Sequence, residues 1–209
     1  MRKQGSFVAK AGMLLSLFLL LSGCGGKDSW KEWKADQLEI NKDGQVIYCV
    51  VDGFEKNIYD VDELTGMAVA EAAEFNGRNK TGDAAPVTVL DVSRLEEEQD
   101  KVRVVYRFDT GASYTAFQGE TLVYETLEEA VTQKHVFSGS VLYNGEDSLT
   151  LDEPGRVKYR TKHVVVTDAK ALIHLPEEVL YCSHGVTILK DGSVDTTGCE
   201  DTAVILLKK

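Results

Sequence analysis

No stretch of this chain carries the residues of a familiar catalytic or nucleotide-binding motif. There is no His-Glu-x-x-His for zinc, no Gly-x-Ser-x-Gly nucleophile elbow, no Ser-x-x-Lys, and no phosphate-cradling glycine loop. No two cysteines stand in Cys-x-x-Cys spacing, so the usual zinc and dithiol redox patterns are excluded. Positive charge is also short: the formal net charge is −11. An acidic domain repels nucleic-acid phosphates, which argues against a nucleic-acid partner, and it repels anionic lipid headgroups. An apolar run of the roughly 20 residues needed to cross a bilayer is missing too.

The apolar run that does exist is short and sits near the start. Ala11 to Leu21 is interrupted only by Gly12 and Ser16, and Arg2, Lys3 and Lys10 precede it. A basic start followed by about 7–15 apolar residues reads as a secretory signal. The segment 1–23 holds three basic residues and no acidic ones, so its removal takes the charge from −11 to −14. An ordinary signal cut near Gly23 and an uncleaved N-terminal anchor are the competing readings.

The residues that close this run are Leu21-Ser22-Gly23-Cys24. An apolar residue, two small ones and a cysteine resemble the lipobox of bacterial lipoproteins. The resemblance implies cleavage between Gly23 and Cys24 and a diacylglyceryl group on the Cys24 thiol, with palmitate among the acyl chains. One acyl chain holds a protein marginally, at about 0.8 kcal/mol per buried CH₂, and stable attachment takes two. A diacylglyceryl thioether supplies both. The expected location is the cell membrane, lipid-anchored, facing the extracytoplasmic side. The expected partner there is the membrane itself, through the anchor, with an envelope protein or glycan as the further candidate.

The expected organisation is a signal peptide over 1–23, a lipidated tether over 24–37 and a single domain over 38–209. Gly25 and Gly26 make the start of the tether flexible. Trp30 and Trp33 lie three apart, on one side of a helical turn. Packing on the domain is weighed above insertion at the lipid interface.

Within the domain the pattern is α+β, predominantly antiparallel sheet with one main amphipathic helix and one short helix. Leu38 to Gly53 alternates around Lys42-Asp43-Gly44, a hairpin turn. Asp60 and Glu63 form an expected capping box for a helix with a stripe of Leu64, Ala68, Ala72 and Phe75, stopped by Asn76-Gly77. Pro86–Val92 and Lys101–Phe108 alternate and pair as a hairpin around the acidic turn Glu96–Glu98. Ala112 to Phe117 suits one helical turn. Thr126 with Glu129 gives a second capping box. The last third reads as short strands, including Val157–Tyr159, His163–Thr167 and Ala203–Leu207. Ile-x-Lys-Asp-Gly-x-Val occurs at Ile40 and again at Ile188, one turn chemistry used twice.

The order of capped helix, hairpin, short helix and strand-rich half resembles small exported lipoproteins of Firmicutes that have no characterised activity. The residues behind this are Glu74-Phe75-Asn76, Tyr114-x-x-Phe117 and Leu175-Pro176 followed by Val179-Leu180-Tyr181. The resemblance implies no activity.

Candidate chemistry is sparse. His163 and His174 lie in strands expected to be neighbours, but no third metal ligand is placed beside them, so no metal and no cofactor are expected. Cys182-Ser183-His184 sets a thiol and an imidazole on one strand face, poorly spaced for a dyad. Cys182 and Cys199 are a candidate disulfide in an exported protein, and Cys49 reads as a buried apolar residue. No catalytic residue is assigned. The leading expectation is therefore a lipid-anchored binding or adaptor module. The alternatives are an envelope hydrolase using His174 or His184 with a carboxylate, and a structural envelope protein.

Overall fold

A computed structural model describes residues 29–54, 60–79, 84–98 and 100–208. Leu21, Ser22, Gly23 and Cys24 lie outside the described residues.

Thirteen strands and four α-helices are described. The first sheet holds β1 (Gln37–Ile40), β2 (Val46–Gly53), β3 (Val87–Arg94), β4 (Lys101–Phe108), β9 (Leu172–His174), β11 (Thr187–Ile188) and β12 (Val194–Asp195). Its order is β11-β12-β9-β1-β2-β4-β3. The second holds β5 (Leu122–Thr126), β6 (Val141–Tyr143), β7 (Ser148–Thr150), β8 (His163–Thr167), β10 (Val179–Cys182) and β13 (Ala203–Leu207). Its order is β5-β8-β13-β10-β6-β7. Every described pairing is antiparallel except β1 with β9. The α+β class and the antiparallel bias expected of the sequence are present.

The helices depart from expectation in number. They are α1 (Val61–Asn79), α2 (Gly111–Gln118), α3 (Leu127–Thr132) and α4 (Glu153–Tyr159), not one main and one short. α4 replaces the strand expected at Val157–Tyr159. Its start explains this: Asp152 Oδ1 accepts from the Gly155 N–H at 3.0 Å, and Pro154 occupies the first turn. A Cβ on Gly155 would meet the Thr150 carbonyl oxygen at 2.3 Å, so glycine is required there. α1 runs past Asn76-Gly77 to Asn79. Asn76 does not stop the helix; its amide exchanges two hydrogen bonds with the Val87 backbone, at 2.8 and 2.9 Å, and pins α1 to β3. At the helix start Asp60 Oδ1 accepts from the Asp62 N–H at 2.8 Å. α1 buries Ala68, Ala72 and Phe75 and leaves Met67 and Val69 exposed.

Strand parity sorts the core into layers. On the first sheet Leu38, Val46, Tyr48, Val104, Tyr106 and Phe108 point inward, against α1, α2 and one face of the second sheet, where Val165, Ile205 and Leu207 meet them. α2 brings Tyr114 and Phe117 edge-on to Phe108, at centroid distances of 5.4 and 5.5 Å. The other face of the second sheet presents Val164, Val166, Val204 and Leu206 to α3, α4 and Val136. The outer face of the first sheet presents Ile47, Cys49, Val51 and Val105 to Trp33 and Trp30.

Those tryptophans belong to a single 3-10 turn, Ser29–Glu32, and the residue after it. Trp33 is 6% exposed and stacks on His174 at 5.2 Å. The described part of the expected tether is thus packed on the sheet, in agreement with the preferred reading of its tryptophans.

The two Ile-x-Lys-Asp-Gly-x-Val stretches form the same turn. Gly44 N–H donates to the Asn41 carbonyl and Gly192 N–H to the Leu189 carbonyl, at 3.0 and 3.1 Å. Both glycines sit at positive φ, 78° and 88°, where an L side chain is strained. The turns close the β1–β2 and β11–β12 hairpins, which lie on either side of β9 in one sheet.

Candidate functional site

The second sheet carries a cavity of about 720 Å³ on the face covered by α3. Its walls come from the segment after α3 (His135, Phe137), from the end of β10 (Ser183, His184) and from the loop before β13 (Cys199, Glu200).

The first wall is positioned by helix capping at both ends of α3. Thr126 and Glu129 form the expected capping box: Thr126 Oγ1 accepts from the Glu129 N–H, and Glu129 Oε2 accepts from the Thr126 N–H at 3.0 Å. At the other end the His135 N–H donates to the Ala130 carbonyl and the Lys134 N–H to the Val131 carbonyl. This is a Schellman arrangement, and its left-handed residue is Lys134, φ 65°, where glycine is usual. Lys134 is the single non-glycine residue at positive φ among the described residues. The reversal carries His135 back toward β5. There its Nδ1 lies 2.7 Å from Glu125 Oε1, while Glu125 Oε2 accepts from Gln133 Nε2 at 2.8 Å. Glu125 is largely buried. Phe137, two residues on, is 67% exposed at the cavity mouth.

The opposite wall is a contact between two loops. Gly185 has φ +89°, and a Cβ there would lie 2.5 Å from the Gly198 carbonyl oxygen. The turn after β10 therefore lies backbone against backbone on the loop before β13. Cys199 Sγ donates to the His184 carbonyl at 3.7 Å. Ser183 Oγ accepts from the Val204 N–H at 2.9 Å and donates to the Val204 carbonyl.

These bonds decide what the cavity offers chemically. The Ser183 hydroxyl is held by the backbone on both its donor and acceptor sides. Burial raises the Cys199 pKa above its ordinary 9.0, so near neutral pH the sulfur is a thiol and not the nucleophilic thiolate. The cavity presents an imidazole oriented by a carboxylate, an exposed aromatic face and acidic groups at its edge. Neither Ser183 nor Cys199 is there a nucleophile activated by a base.

The other singled-out residues fall elsewhere. His163 and His174 do not meet, because β8 and β9 belong to different sheets. His163 stacks on Tyr124 at 4.8 Å. His174 Nε2 lies 2.8 Å from Gln37 Oε1, an amide and not a carboxylate. His184 lines the cavity, whereas Cys182 faces the main core, so the two share no site. Cys49, Cys182 and Cys199 are buried free thiols. Burial pushes Cys49 up to about 12, and raises Cys182 together with the nearby charge of Cys199. Among the described residues no group of three or more potential ligands converges on a metal position. No described helix is long and apolar enough to cross a membrane. The pair the sequence did not disclose is Glu125 with His135. The only local signal was the capping box that starts α3.

The chain matches no family model, no curated protein and no solved structure in the comparisons made with each.

Proposed function

We propose that this protein is a lipid-anchored extracytoplasmic binding module, held to the cell membrane by a diacylglyceryl group on Cys24. The observation that carries the reading is Leu21-Ser22-Gly23-Cys24, placed directly after a basic start and a short apolar run. The packing of Trp30 and Trp33 on the first sheet supports it, since folded structure is found within a few residues of the motif. α1 serves the domain as its amphipathic helix through the Ala68, Ala72 and Phe75 stripe. The cavity beside His135 is the binding site. Its volume falls within the roughly 300–1,000 Å³ of small-ligand sites. An envelope protein or a glycan is the proposed occupant, and nucleic acid is not.

A second reading is favoured by one observation, the His135–Glu125 pair at the cavity wall. In an envelope hydrolase Glu125 orients the imidazole and His135 acts as general base on a water. The competing structural-envelope role has no such site to point to. Metabolic labelling with an alkyne palmitate analogue tests the anchor. The native chain takes up label and Cys24→Ala does not. Label on neither chain rejects the reading. His135→Gln then separates the two cavity roles: it abolishes hydrolysis in the second and changes only ligand retention in the first.

A further inference from the structure

We infer that the cavity beside His135 takes an extended, basic segment of another protein, which pairs its backbone with the open side of Val141 in β6. The inference rests on the binding-module reading and chooses a peptide over a glycan as the occupant.

The first observation is a parting of two strands. The ladder between β10 and β6 is one pair long, Cys182 opposite Tyr143. Carried two residues further, the antiparallel register would set His184 opposite Val141. Both residues line the cavity instead. β10 is drawn toward β13, where the Ser183 N–H donates to the Val204 carbonyl at 2.8 Å. β6 stays with β7: the Leu151 N–H donates to the Ser140 carbonyl at 2.8 Å, and the Asn144 N–H to the Asp147 carbonyl at 3.2 Å. The cavity occupies the split.

Backbone alternation says which groups face it. Successive residues of a strand turn their N–H and C=O to opposite edges. Ser140 and Asn144 bond on the β7 side, so Leu142 between them does too, and Val141 and Tyr143 turn theirs toward β10. Tyr143 meets Cys182 there. Val141 meets the cavity, with one donor and one acceptor set for an added strand, a recurring mode of peptide capture. A peptide backbone matches such an edge residue by residue, and a sugar ring does not. The Ser183 hydroxyl, which a sugar would need, is already taken up by Val204.

Side chains fit the same occupant. Phe137 and Val141 are exposed and line the cavity, and Tyr143 is exposed on the same strand face as Val141. They offer an apolar strip to alternate side chains of the added strand. Around it the charge is negative. Glu200 and Asp201 line the cavity, and the turn that leaves β6 carries Glu146 and Asp147. Among the described lining residues there is no lysine or arginine. Lys170 approaches this wall at the Asp201 carbonyl, 3.1 Å from its Nζ. Such a rim favours encounter with a segment rich in lysine or arginine.

The test uses full-length protein in detergent and a fluorescein-labelled heptapeptide that alternates lysine with phenylalanine or valine, read by fluorescence anisotropy. The peptide binds, and its counterpart with glutamate for lysine binds at least about tenfold more weakly. The same basic peptide methylated on its backbone nitrogens keeps its charge and side chains but cannot pair as a strand, and it too loses about tenfold or more. Equal binding of the methylated peptide overturns the strand pairing, and equal binding of the glutamate peptide overturns the charge match. Two variants place the site. Val141→Pro removes only a donor on the cavity side, since the bonds to β7 belong to its neighbours. Phe137→Ser alters only an exposed ring. Both weaken binding of the basic peptide, and native affinity in both overturns the location. Chitotetraose separates the two levels. Binding of the oligosaccharide but of no peptide puts a glycan here and overturns this inference alone, whereas binding of neither also counts against the binding-module reading.

Discussion

Arg103 and Asp91 face each other across the β3–β4 hairpin, with Nη2 2.8 Å from Oδ2. Arg103 is 12% exposed; Nη2 also donates to Ser93 Oγ at 3.3 Å, and Nη1 donates to the carbonyls of the 3-10 turn. One side chain thus ties the 3-10 turn to the sheet. Removing one member of a largely buried pair strands the other, at a cost of about 3 kcal/mol. Arg103→Met is expected to lose about that much stability in denaturant titration. Its tryptophan emission should shift to the red as Trp30 and Trp33 gain water. Arg103→Lys does not restore the native spectrum, because an ammonium cannot reach Asp91 and three carbonyls in one plane.

Lys134 holds a left-handed conformation that costs a non-glycine residue about 1 kcal/mol. Lys134→Gly is expected to raise stability by up to that amount, read as a higher denaturant midpoint at unchanged slope. His135 keeps its contact with Glu125, since the Schellman bonds are backbone bonds. Thr126→Ala, at the other end of α3, loses about 1 kcal/mol.

Gly185→Ala strains the backbone at φ +89° and drives a methyl group into the Gly198 carbonyl. The expected loss is about 3 kcal/mol, from left-handed strain plus overpacking. Alanine in place of Gly192, also left-handed but with open space around it, loses only the strain of about 1 kcal/mol. Differential scanning of the two variants resolves the difference.

Alkaline pH weakens the fold in a defined window. Burial raises the Cys49 pKa from 9.0 and the Tyr48 pKa from 10.0, each to about 12. Cys182, Cys199, Tyr106, Tyr114 and Tyr124 are raised by burial as well. The folded state therefore keeps protons that the unfolded state releases. Stability is full below about pH 9 and falls as pH climbs toward 12. Cys49→Val is expected to soften the onset near pH 9, measured as the denaturant midpoint against pH.

Much of the first sheet was legible because its signals are local. Val102, Val104, Tyr106 and Phe108 alternate cleanly, and the glycines of the repeated turn demand their conformation. Thr126 and Glu129 announced α3 for the same reason. α4 escaped because Val157-Lys158-Tyr159 alternates like a strand, while Asp152 and Pro154 upstream set the helix. Asn76 looked like a stop because its partner, the Val87 backbone, lies beyond the next loop. β1 beside β9 joins residues far apart in sequence, and no local pattern encodes that pairing. The cavity was hidden for a related reason. Glu125 and His135 meet only because Lys134 turns left-handed, which its side chain does not advertise.

The proposed anchor is tested most directly by the mass of the amino-terminal peptide. If the chain is cut between Gly23 and Cys24, trypsin acting after Lys27 on protein purified with detergent from the native membrane releases Cys24-Gly25-Gly26-Lys27. That tetrapeptide is expected to carry a diacylglyceryl mass on sulfur. The same sequence with an unmodified thiol, or a chain still continuous through Gly23, contradicts the account.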